Sequence, residues 1–285
     1  MVTPLHLAIT PMSVLQDPVF GKAYAELFED GDVDDRLLMI LFLMVERIRE
    51  SSSLWAPYLD ALPTSFGTPL WFTEEELQEL QGTALYNATK IQLRNLEGLF
   101  AGKVKPFAEQ VLSSVGALKR EIDFKDFLWA NCIFWTRALN IPCPHSFVFP
   151  KQVHSSSNGD GIGLKKRVEP VKSTTPDTVW VEGLVPGIDF CNHDPRGVAK
   201  WEVDGPEGST TGVPNSMYLK ADSHITTNDE IFISYGNKGN EELLFLYGFV
   251  IEDNLDDYYM VHFPKEAFDQ DPFGEVKVQL LQEQV

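Results

Sequence analysis

The fold of this chain depends on two stretches: Leu-Val-Pro-Gly-Ile-Asp-Phe-Cys-Asn-His at 184–193 and Ile-Phe-Ile-Ser-Tyr-Gly at 231–236. In the second stretch the side chains alternate between two faces up to Tyr235, which predicts a strand that Gly236 ends. Residues 240–247 then predict a short helix opened by an Asn cap and closed by a glycine. The sequence therefore predicts one pocket, lined by a phenol at a strand end, a second phenol one helix later and an Asn-His pair from another loop.

The order of the motifs in this region resembles the core of a SET-domain protein methyltransferase. In chain order the motifs are Asp189-x-x-Asn192-His193, Tyr235-Gly236, Asn240-x-Glu242-Leu243 and Tyr247-Gly248-Phe249. Within that family the order is most similar to the branch typified by the Rubisco large-subunit lysine methyltransferase. Each motif is weak alone, but several in the same order across most of the chain make a strong resemblance.

The resemblance extends upstream into a segment similar to the helical insert of that branch. Its motifs are Ser53-Leu54-Trp55-x-Pro57-Tyr58, Trp71-Phe72-Thr73-Glu74-Glu75-Glu76-Leu77, Glu79-Leu80-Gln81-Gly82-Thr83 and Thr136-Arg137-Ala138-Leu139. The implied fold class is α+β, a SET-domain β-core of knot-like topology with a helical insert. The implied divisions are a residual N-terminal part of the core at 1–35, the insert at 36–140, the catalytic core at 141–263, and the truncated start of a C-terminal substrate-binding region at 264–285.

Apolar periodicity and capping patterns predict the secondary structure of the chain. The acidic run at 29–35 favours a helix N-terminus, and the apolar run at 37–45 predicts that the helix it opens is mostly buried. Residues 73–76 form a capping box. Residues 1–33 are expected to be loop-like with a short helix, and residues 155–166 a loop. Further helices are predicted at 36–50, 74–81, 84–101, 104–118 and 123–139, and strands at 147–149, 179–180, 198–203, 217–221, 231–235 and 258–263.

The resemblance implies roles for the residues of the predicted pocket. Tyr235 is the implied catalytic tyrosine and also contacts the cofactor. Asn192 and His193 are implied to bind that cofactor, and Phe249 stands where a ring stacks on its adenine. Tyr247 stands where a phenol borders the target amine. Without this context a strand-end tyrosine is more often a packing residue, and for Phe249 a purely packing role stays equally open.

Three further residues are implied to contact the substrate. Arg137 matches the arginine near the junction of cofactor and substrate, and Asp189 is either structural or substrate-facing. Leu139 bears on specificity, because lysine-methylating members have an apolar side chain near this point and the histidine-methylating member has an amide. An apolar wall suits an aliphatic lysine stem and offers no hydrogen bond to an imidazole. The sequence therefore favours lysine over histidine as the target.

The implied activity is S-adenosylmethionine-dependent N-methylation of lysine in a non-histone protein. Methyl transfer is an in-line displacement by a neutral amine, so the protein chiefly supplies geometry and a dry channel, and we expect no metal. A phenol such as that of Tyr235 orients the methyl group through weak C–H···O contacts. Alternatives are a protein-histidine methyltransferase and a non-catalytic SET-like module that binds a basic protein segment.

The first residues bear on the choice between enzyme and binding module. Similar enzymes have a Gly-x-Gly segment and two or three strands before a stretch like Leu7-Ala8-Ile9-Thr10, which lies at the start of this sequence. Without such a wall we expect the amino-acid end of the cofactor to be exposed and a sheet edge to be unpaired. This feature favours the binding module.

Composition excludes several other classes of protein. The 285 residues carry a formal net charge of −19, which argues against a nucleic-acid surface and favours basic partners. The longest apolar run is about half of what spans a bilayer, so we expect no membrane association. Three scattered cysteines indicate neither a disulfide framework nor a cysteine-rich zinc site. We expect an intracellular monomer, in the cytoplasm or a plastid, whose partner is a protein substrate presenting a lysine.

Overall fold

The fold is described from a computed structural model of the chain, for residues 1–31, 33–144, 148, 178–258 and 271–282. Helices dominate from 35 to 137, a segment we call the helical region, and the described residues between 139 and 233 contain six strands. The α-helices are α1 (Pro11–Leu15), α2 (Gly21–Glu29), α3 (Asp35–Ile48), α4 (Ala56–Leu59), α5 (Glu74–Gln78), α6 (Ala84–Leu99), α7 (Lys105–Ser114), α8 (Phe124–Arg137), α9 (Asn240–Tyr247) and α10 (Gly274–Gln282).

The described strands form three small sheets, and most of their pairings are antiparallel. One sheet has the order β1-β6-β5 and a second pairs β2 with β3. The third joins β4 to β7 in parallel, opposing Asn192 to Phe232 and His193 to Ile233. The strands are β1 (Val2–Pro4), β2 (Leu139–Pro144), β3 (Thr178–Gly183), β4 (Asn192–His193), β5 (Ala199–Asp204), β6 (Ser216–Ala221) and β7 (Phe232–Ile233).

The centre of the helical region is α3, which packs most extensively against α8. Every residue of α3 from Leu38 to Glu46 is buried. This follows from the sequence, because nine consecutive apolar residues leave no polar face to turn toward water. The helix begins where the carboxylate of Asp34 accepts a hydrogen bond from the amide of Leu37 at 2.8 Å. The expected acidic start and the buried apolar run are both confirmed.

Other local signals in the helical region are also confirmed. Thr73 and Glu76 form the expected reciprocal capping box at the start of α5. Asp123 forms a second box at the start of α8, and its carboxylate accepts from the Asp126 amide. A π-helical turn at Phe100–Val104 joins α6 to α7 and stands between the two helices that the sequence predicts there.

Several expectations from the sequence need correction, including the helices predicted at 74–81 and 104–118, which end at Gln78 and Ser114. Helix α8 ends at Arg137, so Leu139 opens β2 instead of closing the helix, because pairing with β3 satisfies its backbone. The N-cap of α9 is Gly239, since the Asn240 side chain exchanges two hydrogen bonds with the backbone of Ile251. The strand predicted at 231–235 is only two residues long. Residues 1–31 contain β1, α1 and α2 and are less loop-like than expected.

Some sequence predictions lie outside the described residues. They are the strand at 147–149 apart from residue 148, the loop at 155–166, and the strand at 258–263 apart from residue 258. In the parts of the chain that the structure describes, no helix has the length and apolar content that crossing a bilayer requires.

Candidate active site

A cavity of about 290 Å³ lies where the helical region meets the small sheets. Its walls come from the end of α8, the start of β2, the loop before β4, β5, the end of β7 and the end of α9. We call the loop at 186–193 the site loop. Of the residues that the sequence indicated for the substrate and the chemistry, five line this cavity: Arg137, Leu139, Asp189, Tyr235 and Tyr247.

Tyr235 is fixed by two hydrogen bonds to the site loop. Its hydroxyl donates to the carbonyl oxygen of Cys191 at 2.6 Å, and its backbone amide donates to Nδ1 of His193 at 2.9 Å. Burial raises the pKa of the phenol to about 12. The phenol therefore stays protonated at neutral pH and can act as a hydrogen-bonding and dipolar group.

The aromatic side chains around Tyr235 form a continuous row. The His193 ring stacks on the Tyr235 ring with centroids 5.0 Å apart, and the Tyr247 ring is tilted against the Tyr235 ring with centroids 4.8 Å apart. Phe249 contacts both ends of the row, with centroids 5.9 Å from His193 and 6.2 Å from Tyr247. Because burial lowers the pKa of His193 and its Nδ1 accepts a hydrogen bond, the imidazole is neutral. The row presents uncharged aromatic faces next to the catalytic candidate.

Asp189 is a buried carboxyl at the edge of the cavity, with 6% of its surface exposed. Its Oδ2 accepts a hydrogen bond from the hydroxyl of Tyr58, and its Oδ1 accepts from the amide of Gly187 at 3.0 Å. Burial raises the pKa of Asp189 to about 6, although the bond from Tyr58 opposes that rise. Both roles that the sequence left open for Asp189 are compatible with this position, since the side chain is tied into the fold and also lines the cavity.

Arg137 closes the cavity next to Asp189. One guanidinium nitrogen, Nη1, donates to the backbone carbonyl of Asp189 at 2.7 Å, and the guanidinium lies over the ring of Phe190 at 5.4 Å. Its Nε is buried and has no hydrogen-bond partner among the residues that the structure describes. Buried N–H groups are rarely left unpaired, so this donor is available to a polar group of a ligand.

Three of the sequence-indicated residues do not line the cavity directly: Asn192, His193 and Phe249. Asn192 is exposed, and its side-chain amide donates to Glu230 at 2.6 Å. His193 lies in the parallel pairing of β4 with β7, and its ring packs on the ring of Tyr235. The Asn-His pair thus holds the two site strands together, with Asn192 on the outer surface and His193 against the aromatic row.

Sequence reasoning did not assign four residues that the structure places at the site. Lys238, Trp201 and Cys191 line the cavity, and Tyr58 reaches Asp189 from the helical region. Lys238 and Cys191 stand within or next to the recognised motifs, so spacing alone was a usable signal for them. Nothing local to Trp201 indicates that β5 brings it here, and Tyr58 precedes Asp189 by 131 residues.

A close backbone contact sets the position of the end of α9. Gly248 has a φ of +84°, and a methyl group added to it would lie 2.6 Å from the backbone of Gly67 and Thr68. A methyl group added to Gly67 would lie 2.2 Å from the Gly248 carbonyl oxygen. Two glycines are therefore required where the helical region touches the turn between Tyr247 and Phe249.

The chain resembles SET-domain proteins and methyltransferases in sequence. It is 28% identical to SET domain-containing protein 8 of Schizosaccharomyces pombe, over 81% of this chain and 43% of that protein. It is 26% identical to the ribosomal lysine N-methyltransferase set10 of the same yeast, over 76% of this chain and 32% of that protein. It is 24% identical to the actin-histidine N-methyltransferase of Drosophila melanogaster, over 76% and 36% respectively. The chain thus spans less than half of each of these relatives, and no protein-family model matches it.

The fold is that of the SET domain. The SET domain of LSMT bound to lysine and AdoHcy matches with a TM-score of 0.63 and 23% identity, over 99% of this chain and 54% of that one. Rubisco LSMT bound to AdoMet matches with a TM-score of 0.61 and 23% identity, over 99% and 53%. The α+β fold class and the resemblance to the Rubisco methyltransferase branch, both expected from the sequence, are confirmed.

Proposed function

We propose that this chain carries the catalytic site of an S-adenosylmethionine-dependent protein-lysine N-methyltransferase. The observation that carries the proposal is the geometry of Tyr235, whose phenol is fixed between the Cys191 carbonyl and two aromatic rings and opens onto the cavity. The sequence relatives named as lysine and histidine methyltransferases support the reaction class. The solved structures bound to AdoMet and to AdoHcy support the cofactor.

The residues around Tyr235 fit the proposed cofactor. The rings of His193 and Phe249 offer neutral faces to a purine, and backbone groups of Asn192 and His193 lie beside them. The unpaired buried Nε of Arg137 suits a carboxylate or carbonyl oxygen of the methionyl part. When bound, S-adenosylmethionine supplies an electrophilic methyl group attached to sulfur.

The chain itself positions and shields the reacting groups. Tyr235 presents an oxygen that remains a neutral phenol at physiological pH, and the adjacent Cys191 carbonyl adds a second oxygen for weak C–H···O contacts. Leu139 and Tyr247 border the cavity and exclude water from an aliphatic stem and its terminal amine. These residues contribute mainly by orientation, which can supply a large part of the rate acceleration in a displacement of this kind.

Lysine is favoured over histidine because the residue at the start of β2 is Leu139. An apolar side chain in the cavity wall contacts the lysine stem favourably and gives no hydrogen bond to a second imidazole nitrogen. The actin-histidine relatives favour the other target, so histidine methylation is the second candidate function. An assay with a peptide that contains histidine and lacks lysine distinguishes the two functions, because only a histidine methyltransferase should remain active on it.

The first test of the proposal is to titrate the chain with S-adenosylmethionine by calorimetry and then compare Tyr235→Phe with the unaltered protein. Removal of the phenol oxygen should lower turnover about 100-fold, since groups that stabilise a transition state contribute on this order. The dissociation constant for S-adenosylmethionine should change less than about threefold, because the ring and its stacking remain. Tyr86→Phe, on α6 away from the cavity, is the matched control and should keep full activity.

Two outcomes would contradict the proposal. Equal turnover in the Tyr235→Phe variant would remove Tyr235 from the chemistry. Absence of S-adenosylmethionine binding, with capture of a basic peptide retained, would support the binding module instead, to which the net charge of −19 is also suited.

A further inference from the structure

We propose that Tyr58 is a positioning residue of this site, which holds the Asp189 carboxylate toward a cationic amine and so links the helical region to substrate binding. The inference rests on the proposed function, since it concerns the same cavity. It adds a residue, a contact and a pH dependence that neither the motifs nor the relatives supply.

The first step of the argument is the contact between Tyr58 and Asp189. The Tyr58 hydroxyl donates to Oδ2 of Asp189, and both side chains are buried, at 9% and 6% exposure. The Tyr58 ring also stacks on the Phe190 ring with centroids 6.0 Å apart. A hydrogen bond to a buried carboxylate is stronger than one at the surface, because water does not compete for it. Tyr58 therefore fixes both the backbone position of the loop residue next to Asp189 and the orientation of its carboxyl group.

The second step concerns the site loop, which contains both Asp189 and Cys191, the residue whose carbonyl accepts the hydrogen bond from Tyr235. Arg137 donates to the Asp189 carbonyl, and Tyr235 donates to the Cys191 carbonyl two residues further along. The loop is thus held from the helical region by Tyr58 and Arg137 and from the strand side by Tyr235. Because Arg137 and Tyr235 also anchor this loop, loss of the Tyr58 hydroxyl alone should alter the Asp189 carboxyl group and leave Tyr235 in place.

The third step concerns charge. The titratable and charged groups that face Asp189 are Tyr58 on α4, Arg137 on α8, Cys191 in the site loop and Tyr235 after β7. Among the described residues Arg137 is the cation that acts on Asp189; it hydrogen-bonds the backbone carbonyl and not the carboxylate, and its positive charge helps to lower the pKa of the carboxyl group. A lysine arrives as an ammonium, and an ionised Asp189 attracts it. Burial raises the pKa of Asp189, and the hydrogen bond from Tyr58 lowers it, so Tyr58 keeps this attraction available near neutral pH.

The test compares Tyr58→Phe with the unaltered full chain and with Tyr218→Phe. Tyr218 donates to Glu202 at 2.7 Å and lies on β6, outside the cavity, so it is a matched tyrosine–carboxylate pair. Loss of the Tyr58 hydroxyl should raise the pKa of Asp189 by about one pH unit, measured from the carboxyl carbon by ¹³C NMR. The KM for a lysine peptide should rise about fivefold at pH 6 and change little at pH 8, because ionised Asp189 is scarcer only at the lower pH. The kcat should stay within about twofold.

The variant Asp189→Asn completes the test. In that background Tyr58→Phe should cause no further change in the pH dependence of KM, since no carboxyl remains to titrate. An unchanged Asp189 titration in Tyr58→Phe, or an equal shift of KM at pH 6 and pH 8, would overturn the inference and leave Tyr58 a packing residue. A chain without methyl-transfer activity that shows the expected NMR shift would refute the proposed function, and with it the role of Asp189 toward an amine, while the control of its ionisation by Tyr58 would stand.

Discussion

The helical region and the candidate active site are held together by different forces. The helical region has a continuous apolar core in which α3 is buried along most of its length and packs on α8. The active site has a small cavity lined by polar and aromatic groups, and hydrogen bonds between loop residues fix its geometry. In this molecule stability therefore comes mainly from apolar burial in one part, and the geometry of the candidate site comes from oriented polar contacts in another.

This difference shows how the helical region supports the candidate site. The cavity wall includes the buried Arg137 Nε, which has no hydrogen-bond partner among the described residues, and a buried donor left unpaired costs stability. The apolar core of the helical region offsets that cost, and the same region supplies Tyr58, Arg137 and the Gly67 contact to the site. Changes in the helical core should unfold the protein, and changes at the junction should impair the site before the whole fold.

The largest expected loss of stability is that of Leu41→Ala in α3. Leu41 is fully buried, and truncating such a residue removes apolar contacts and leaves a cavity that costs about 4 kcal/mol. Urea unfolding followed by circular dichroism measures it. Leu54→Ala is the matched control, because Leu54 is 80% exposed and the same truncation should cost less than about 0.5 kcal/mol. Similar losses in the free energy of unfolding for both variants would contradict the view that apolar burial in the helical core stabilises the protein.

An intermediate effect is expected for Gly248→Ala at the junction. The substitution places a methyl group against the backbone of Gly67 and imposes a left-handed conformation on alanine, which together should cost about 3 kcal/mol. Because Gly248 lies between Tyr247 and Phe249, S-adenosylmethionine binding should weaken as well, which calorimetry measures alongside thermal unfolding.

The matched control for Gly248→Ala is Gly98→Ala in α6. No atom of the described residues lies within 4 Å of a methyl group added to Gly98, and alanine suits a helix better than glycine. The free energy of unfolding of the Gly98→Ala variant should rise by about 0.5 to 1 kcal/mol. The variant should bind S-adenosylmethionine as the unaltered protein does. If Gly248→Ala were as stable as the unaltered protein, the two-glycine contact would not position the site.

The smallest effect is expected for Glu182→Gln on β3. Arg36 donates to both carboxylate oxygens of Glu182, at 2.6 and 2.8 Å, and this ion pair joins α3 to the strands. Both side chains are partly exposed, so solvent screening limits the contribution of the pair to about 0.5 kcal/mol. Unfolding at low and at high salt measures it, and the difference from the unaltered protein should shrink at high salt. A loss above about 2 kcal/mol would show that polar contacts also stabilise the helical region.

The sequence by itself determined most of the local structure. Nine consecutive apolar residues specify a buried α3, the Thr73–Glu76 pattern specifies a helix start, and Gly248 specifies the end of α9. Each signal concerns residues within one or two helical turns, where spacing and backbone preference suffice. The ordered motifs around Tyr235 also indicated the SET fold and three residues that line the cavity, Asp189, Tyr235 and Tyr247. The upstream motif at 136–139 indicated the other two, Arg137 and Leu139.

Only the tertiary structure decided the contacts that link distant parts of the chain. Leu139 begins a strand because β3 is available to pair with it, and Asn240 is diverted from capping by the backbone of Ile251. The bond from Tyr58 to Asp189 spans 131 positions, and no periodicity or motif encodes a contact of that length. Such contacts depend on how whole elements pack, because packing sets which side chains meet, whereas sequence spacing sets only which face each one occupies.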